Sequence, residues 1–172
     1  VHATLEDLTG HGLDGNRNGI SEGSPLDDVS WSFTVRGGQV LEVVTTANEG
    51  PGSLRQALQD AQPGDTITFN LPPVDDTQAA TIVVTGNPLP SLWQGYLTLN
   101  GGGVTLDGNG LAWGNGLEID ADRNVVTGLR ITGFPDAGIA LRGTYNTIGG
   151  ANATPGGACS GDCNVLSGNQ RW

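Results

Sequence analysis

A repeat of 22 residues in the carboxy-terminal half constrains this chain more than any other feature. Gly116-Leu117-Glu118-Ile119 returns as Gly138-Ile139-Ala140-Leu141, and Asn124-Val125-Val126 returns as Asn146-Thr147-Ile148, both 22 positions later. Val104-Thr105 and Val126-Thr127 give a third match at the same offset. A period of this length, carried by short β-runs between glycine turns, is a solenoid signature. Each coil buries its few inward apolar side chains against the coils on either side.

Leucine-rich repeats have a similar period, but they need a leucine framework and a helical return. Here the returns are rich in β-formers and glycine, as in Arg130-Ile131-Thr132-Gly133-Phe134. The reading is therefore all-β: a right-handed parallel β-helix of about three rungs, beginning near Thr98. The period also predicts what stacks. Leu117 lies on Ile139 and Ile119 on Leu141. Asn124 lies beneath Asn146 in an asparagine ladder along the axis. Asp120 lies beneath Arg142 as an inter-rung ion pair. The stretch 149–163 interrupts the next rung, which resumes at Asn164-Val165-Leu166-Ser167-Gly168-Asn169.

Upstream, three further segments separate. Residues 1–36 end in the alternating run Trp31-Ser32-Phe33-Thr34-Val35, which puts Trp31, Phe33 and Val35 on one strand face. Residues 37–97 precede the rungs of 98–172 as a cap. They hold a strand at Leu41-Glu42-Val43-Val44 and a helix over 53–61, in which Leu54, Ala57, Leu58 and Ala61 share a face. Ser53 and Gln56 have the spacing of a capping box, each side chain satisfying the other's backbone donor. Pro63-Gly64-Asp65 ends the helix. Alternation at Ile67, Phe69 and Leu71, and again at Ile82 and Val84, predicts two strands around a loop with Pro72-Pro73 and Asp75-Asp76.

Composition fits this frame. Twenty-nine glycines and 5% aromatic residues suit short strands and tight turns, and a hydrophobic fraction of 36% is enough for a solenoid with a thin core. The net charge of −11 makes nucleic acid and anionic membranes poor partners. No apolar run is long enough to span a bilayer, and no leader pattern is present; the start at Val1-His2-Ala3 falls mid-pattern, as expected if a leader were already removed. Cys159 and Cys163 bracket Cys-Ser-Gly-Asp-Cys, far in sequence from either histidine, so a small disulfide loop is expected over a zinc site, with a reduced thiol pair as the alternative. A disulfide implies a secreted or cell-surface location.

Gly50-Pro51-Gly52-Ser53-Leu54-Arg55-Gln56-Ala57-Leu58, followed by Gly64-Asp65-Thr66-Ile67-Thr68-Phe69, resembles the amino-terminal cap of secreted bacterial β-helix proteins with a Ser-Leu-Arg-Glu-Ala type motif. Gln56 stands where that group usually has glutamate. Asn146-Thr147-Ile148-Gly149-Gly150 and 164–169 resemble its rungs. The resemblance implies a large, multidomain extracellular protein, mostly without an assigned reaction. Residues 5–15 with Trp31-Ser32-Phe33-Thr34-Val35 are similar to the last strands of bacterial immunoglobulin-like domains, whose earlier strands are missing here.

Few constellations could carry chemistry. Asp14, Asn16, Asn18 and Gly19 match the opening of a calcium loop, which Glu22, Asp27 or Asp28 would have to close because Pro25 holds the twelfth position; a metal-free asparagine-glycine turn is the alternative. Calcium is thus the one cofactor suggested. Asp107, Glu118, Asp120 and Asp122, near Arg123 and Arg130, are the acids from which a polysaccharide lyase or glycoside hydrolase would draw. Stacking of Asp120 on Arg142 and the lack of a solenoid histidine or any lysine favour ordinary surface acids. Trp93 and Trp113 lie in glycine-rich turns, where they either cover the solenoid or stack on a sugar. Asn152-Ala153-Thr154 is a glycosylation sequon. The expectation is a non-catalytic structural or adhesive surface protein, a self-assembling filament subunit joined end to end or by strand addition, that pairs with itself, with further domains of a longer chain, or with cell-surface glycan. The alternatives are a fragment of a polysaccharide-cleaving enzyme and a carbohydrate-binding module.

Overall fold

The computed structural model describes residues 36–73 and 79–171, nearly all within the unit Gly37–Trp172. Eleven strands and one helix follow one another there: β1 (Val40–Val43), α1 (Leu54–Asp60), β2 (Thr66–Phe69), β3 (Thr81–Thr85), β4 (Thr98–Asn100), β5 (Thr105–Gly110), β6 (Leu117–Ile119), β7 (Val125–Thr127), β8 (Arg130–Thr132), β9 (Ile139–Leu141), β10 (Thr147–Ile148) and β11 (Val165–Ser167). Every strand pairing is parallel, and neighbours come from successive coils. One sheet runs β1-β2-β4-β7-β10, a second β3-β5-β8-β11, and a third pairs β6 with β9. Backbone hydrogen bonds therefore run along one axis, as in a right-handed parallel β-helix of about four turns.

The core is a set of stacked columns. Ile67, Leu99, Val126 and Ile148 form one, Ile82, Leu106, Ile131 and Leu166 a second, and Leu92, Ile119 and Leu141 a third. Every member before the last coil is at most 1% exposed. At roughly 25 cal/mol per Å² of apolar surface, burying one such aliphatic side chain contributes about 1.5–3 kcal/mol. Phe134 fills the space that Gly108 and Gly116 leave: a Cβ on either glycine would come within 3.2 Å of its ring.

The structure bears out the pairings of Leu117 with Ile139 and Ile119 with Leu141, and it corrects four details. The solenoid starts before Thr98: β1 and β2 belong to the same sheet as β4, which raises about three rungs to about four turns. The period hid this because loop lengths vary; Thr66 pairs with Thr98 and Thr98 with Val125, at spacings other than 22. The third sequence match was coincidental, since Thr105 pairs with Arg130 and Val126 with Leu99. The capping box is half made. Ser53 Oγ accepts the Gln56 N–H at 3.2 Å, but the Gln56 amide turns to Asp60, and the Ser53 N–H donates to Gly50 O.

Candidate functional site

The last described coil exposes what earlier coils bury. Ile148, Leu166 and Leu141 end the three columns and are 37%, 45% and 49% exposed. Backbone groups follow suit. Thr147 and Gly149 donate back to Asn124 O and Val126 O, Val165 to Leu129 O, and Arg142 to Ile119 O. Strand alternation then turns the N–H groups of Ile148, Leu166 and Leu141 to the opposite edge, away from the preceding coil. A shallow cavity of about 270 Å³ lies on this face, with Gly138, Ile139, Leu166 and Asn169 in its wall. The result is a coil face bearing apolar side chains and strand hydrogen-bonding groups, unmatched among the described residues.

Asparagines fasten each coil to the one before. Asn124, fully buried, accepts the Leu97 N–H at 2.9 Å, and Asn146 accepts the Asn124 N–H at 2.7 Å. Both side-chain amides donate to Ala121 O. Asn164 accepts from Leu129 and donates to Val126 O; Asn169 accepts from Phe134 and donates to Ile131 O. The ladder expected at Asn124 and Asn146 is present, but it links side chain to backbone rather than amide to amide. Buried Asp65 occupies the same column two coils earlier, accepting from Gln39 at 2.7 Å and Gln62 at 2.9 Å.

The acids do not converge on a cleft. Arg142 Nη1 donates to Asp120 at 2.8 Å and also to Glu118, so the pair expected from the period is a three-residue bridge. Hydrogen bonds from the Thr144 backbone N–H (2.7 Å) and side chain hold the Asp122 carboxyl below its usual range. Asp107 lies on β5, in another sheet, and accepts twice from Asn109. Such acids serve turns and inter-coil contacts.

One turn carries side chains at an energetic cost. Gly64, Tyr96, Arg123 and Tyr145 each precede their strand by two residues, so they stack in successive coils. All four have positive φ: 89° at Gly64, then 62°, 60° and 57°. Twelve further glycines hold the other positive φ values; among the described residues no other side chain does. The Arg123 guanidinium lies over both tyrosine rings, 5.5 Å from each centroid, and donates to Tyr96 Oη at 2.6 Å. Left-handed backbone costs a non-glycine residue about 1–2 kcal/mol, whereas an exposed cation–π contact contributes about 0.5–1 kcal/mol. These two contacts and the exposed Tyr96 hydrogen bond offset part of the cost of three such residues. Sequence reading missed this column, although Arg123 and Tyr145 sit 22 positions apart, directly before the two asparagines that carried the repeat.

Cys159 and Cys163 form a disulfide with Cα atoms 5.9 Å apart. Their loop walls a groove of about 680 Å³ with Thr81, Asn100, Arg130 and Asp162 among its lining residues. Within the loop, Asn152 Oδ1 accepts from the Thr154 and Ser160 N–H groups, both at 3.1 Å, and its amide donates to Gly157 O at 3.2 Å. Trp93 and Trp113 are both exposed. Asp14, Asn16, Asn18, Glu22, Asp27 and Asp28 lie outside the described residues, as do Asp75 and Asp76. Among the described residues no group of acids, histidines or cysteines is arranged to hold a metal ion, and no helix is long and apolar enough to cross a membrane. Comparison with family models, curated proteins and solved structures finds no match to the chain.

Proposed function

We propose that this chain is a non-catalytic structural protein of the cell exterior whose solenoid assembles by coil stacking. The observation that carries the reading is the face formed by Leu141, Ile148 and Leu166. It matches, column by column, the surface that each inner coil presents to its successor. The natural occupant is a further parallel coil, supplied by a continuation of this chain or by the first coil of a second copy. Among the described residues β1 ends its sheet, so its outer edge can supply the complementary strand. Head-to-tail contacts of this kind do not close and build filaments, and a strand edge supplies the directional hydrogen bonds. The disulfide supports an oxidising location. The acids committed to turns and bridges support a non-catalytic role, as does the resemblance of the cap and rungs to secreted bacterial solenoids.

Sedimentation velocity over a range of concentrations tests the proposal. The 172-residue chain is expected to shift to faster-sedimenting species as concentration rises, and the Ile148→Lys/Leu166→Lys variant to stay monomeric. A wild-type chain that remains monomeric at high concentration contradicts the reading.

A further inference from the structure

We propose that the turn bearing Trp93, Tyr96, Arg123 and Tyr145 binds a neutral, extended glycan chain laid along the solenoid axis. This turn lies on the side of the solenoid, whereas coil stacking uses its end. Glycine fits its left-handed backbone without strain, as Gly64 does one coil earlier. The chain nevertheless places Tyr, Arg and Tyr there, with Tyr96 and Tyr145 57% and 80% exposed. These are its two tyrosines, and both stand on one corner. Trp93, three residues before Tyr96 on the same turn, is also largely exposed. Side chains held in strained backbone and facing solvent serve something outside the core.

The chemistry of the corner selects the partner. Exposed aromatic rings present flat apolar faces with polar edges, suited to the apolar face of a pyranose ring. Arg123 uses Nη1 on Tyr96 Oη; its remaining N–H groups and the Tyr145 hydroxyl have no partner among the described residues and are free for sugar hydroxyls. Successive coils are roughly 4.8 Å apart, so Tyr96 and Tyr145, two coils apart, repeat on the scale of two sugar units in an extended chain. Charge argues for a neutral glycan. Arg142 is committed to Glu118 and Asp120, Asp122 lies beside Arg123, and the whole chain carries −11. An anionic polymer meets repulsion here.

The test is a two-dimensional NMR titration of the full chain with a soluble hexasaccharide of β-linked glucose. A hexasaccharide of galacturonic acid serves as the charged comparison. Tyr96→Gly/Tyr145→Gly removes the rings while suiting the backbone, so its urea midpoint should equal or exceed that of the parent. Expected are shifts confined to the turns around residues 93–96, 122–124 and 143–146, and affinity at least about tenfold weaker in the double glycine variant. Trp113→Ala should bind normally. Absence of binding at millimolar sugar, equal affinity in the glycine variant, loss of binding in Trp113→Ala, or preference for the acidic sugar would each overturn the assignment. The sedimentation result bears on none of these outcomes.

Discussion

The backbone N–H of Asn124 donates to Oδ1 of Asn146, 2.7 Å away in the next coil. Asn124 in turn accepts from Leu97 in the coil before, so one column joins three coils. Replacing Asn124 with alanine leaves the buried Leu97 N–H without an acceptor. The expected loss is about 1–3 kcal/mol in urea denaturation. Asn146→Ala, nearer solvent in the last described coil, should cost less.

The burial gradient along a column predicts a gradient of mutational cost. Ile131→Ala empties a fully buried position between Leu106 and Leu166 and should destabilise by about 2–5 kcal/mol. Leu166→Ala in the same column, measured at low concentration, should cost under about 1 kcal/mol because that side chain is already half exposed. Equal costs at the two positions would show that the last coil is covered in the isolated chain.

Close approach between coils makes Gly116 sensitive. A Cβ there would lie 2.4 Å from Gly138 O and 2.5 Å from the Ile131 side chain. Gly116→Ala should therefore lower stability by about 1–3 kcal/mol. Gly37→Ala meets nothing within 4 Å and should fall within about 0.5 kcal/mol of the parent.

Asp122 sets a pH dependence. Its folded carboxyl pKa is depressed, chiefly by the Thr144 backbone hydrogen bond and then by the Thr144 side chain. A depressed pKa contributes stability that is present above the unfolded value, about 3.9, and is lost as pH falls through the folded one. Asp122→Asn should thus be less stable than the parent at neutral pH, with the gap narrowing below about pH 4. Urea midpoints of both chains against pH check the sign; a gap that widens in acid would contradict it.

Sequence made the β6–β9 and β7–β10 faces legible because they repeat without insertions, so Leu117 on Ile139 and Asn124 beneath Asn146 followed from spacing alone. The same spacing placed Asp120 beside Arg142, though not Glu118, which reaches Arg142 from the neighbouring strand position two residues earlier. It failed where turns change length. Loops between β2 and β4 and between β8 and β11 stretch the repeat, and Thr105 found its partner in Arg130 rather than Thr127. Asp65 hid in the asparagine column because Leu97 interrupts the polar residues between it and Asn124. The Tyr96–Arg123–Tyr145 column was silent because side-chain identity does not announce left-handed backbone unless the residue is glycine. The expected calcium loop and the run Trp31–Val35 lie outside the described residues.

Amide hydrogen exchange at Ile148 and Leu166 tests the stacking face most directly. Their N–H groups point away from the coil behind them and toward any coil that docks. Exchange is measured by NMR at low and high protein concentration, with the Ala140 and Val126 amides as inner references. Stacking predicts that Ile148 and Leu166 exchange freely in dilute solution and become protected as concentration rises, while Ile148→Lys/Leu166→Lys abolishes the protection of its neighbours in β10 and β11. Unchanged, rapid exchange at both residues across the whole concentration range would contradict the account.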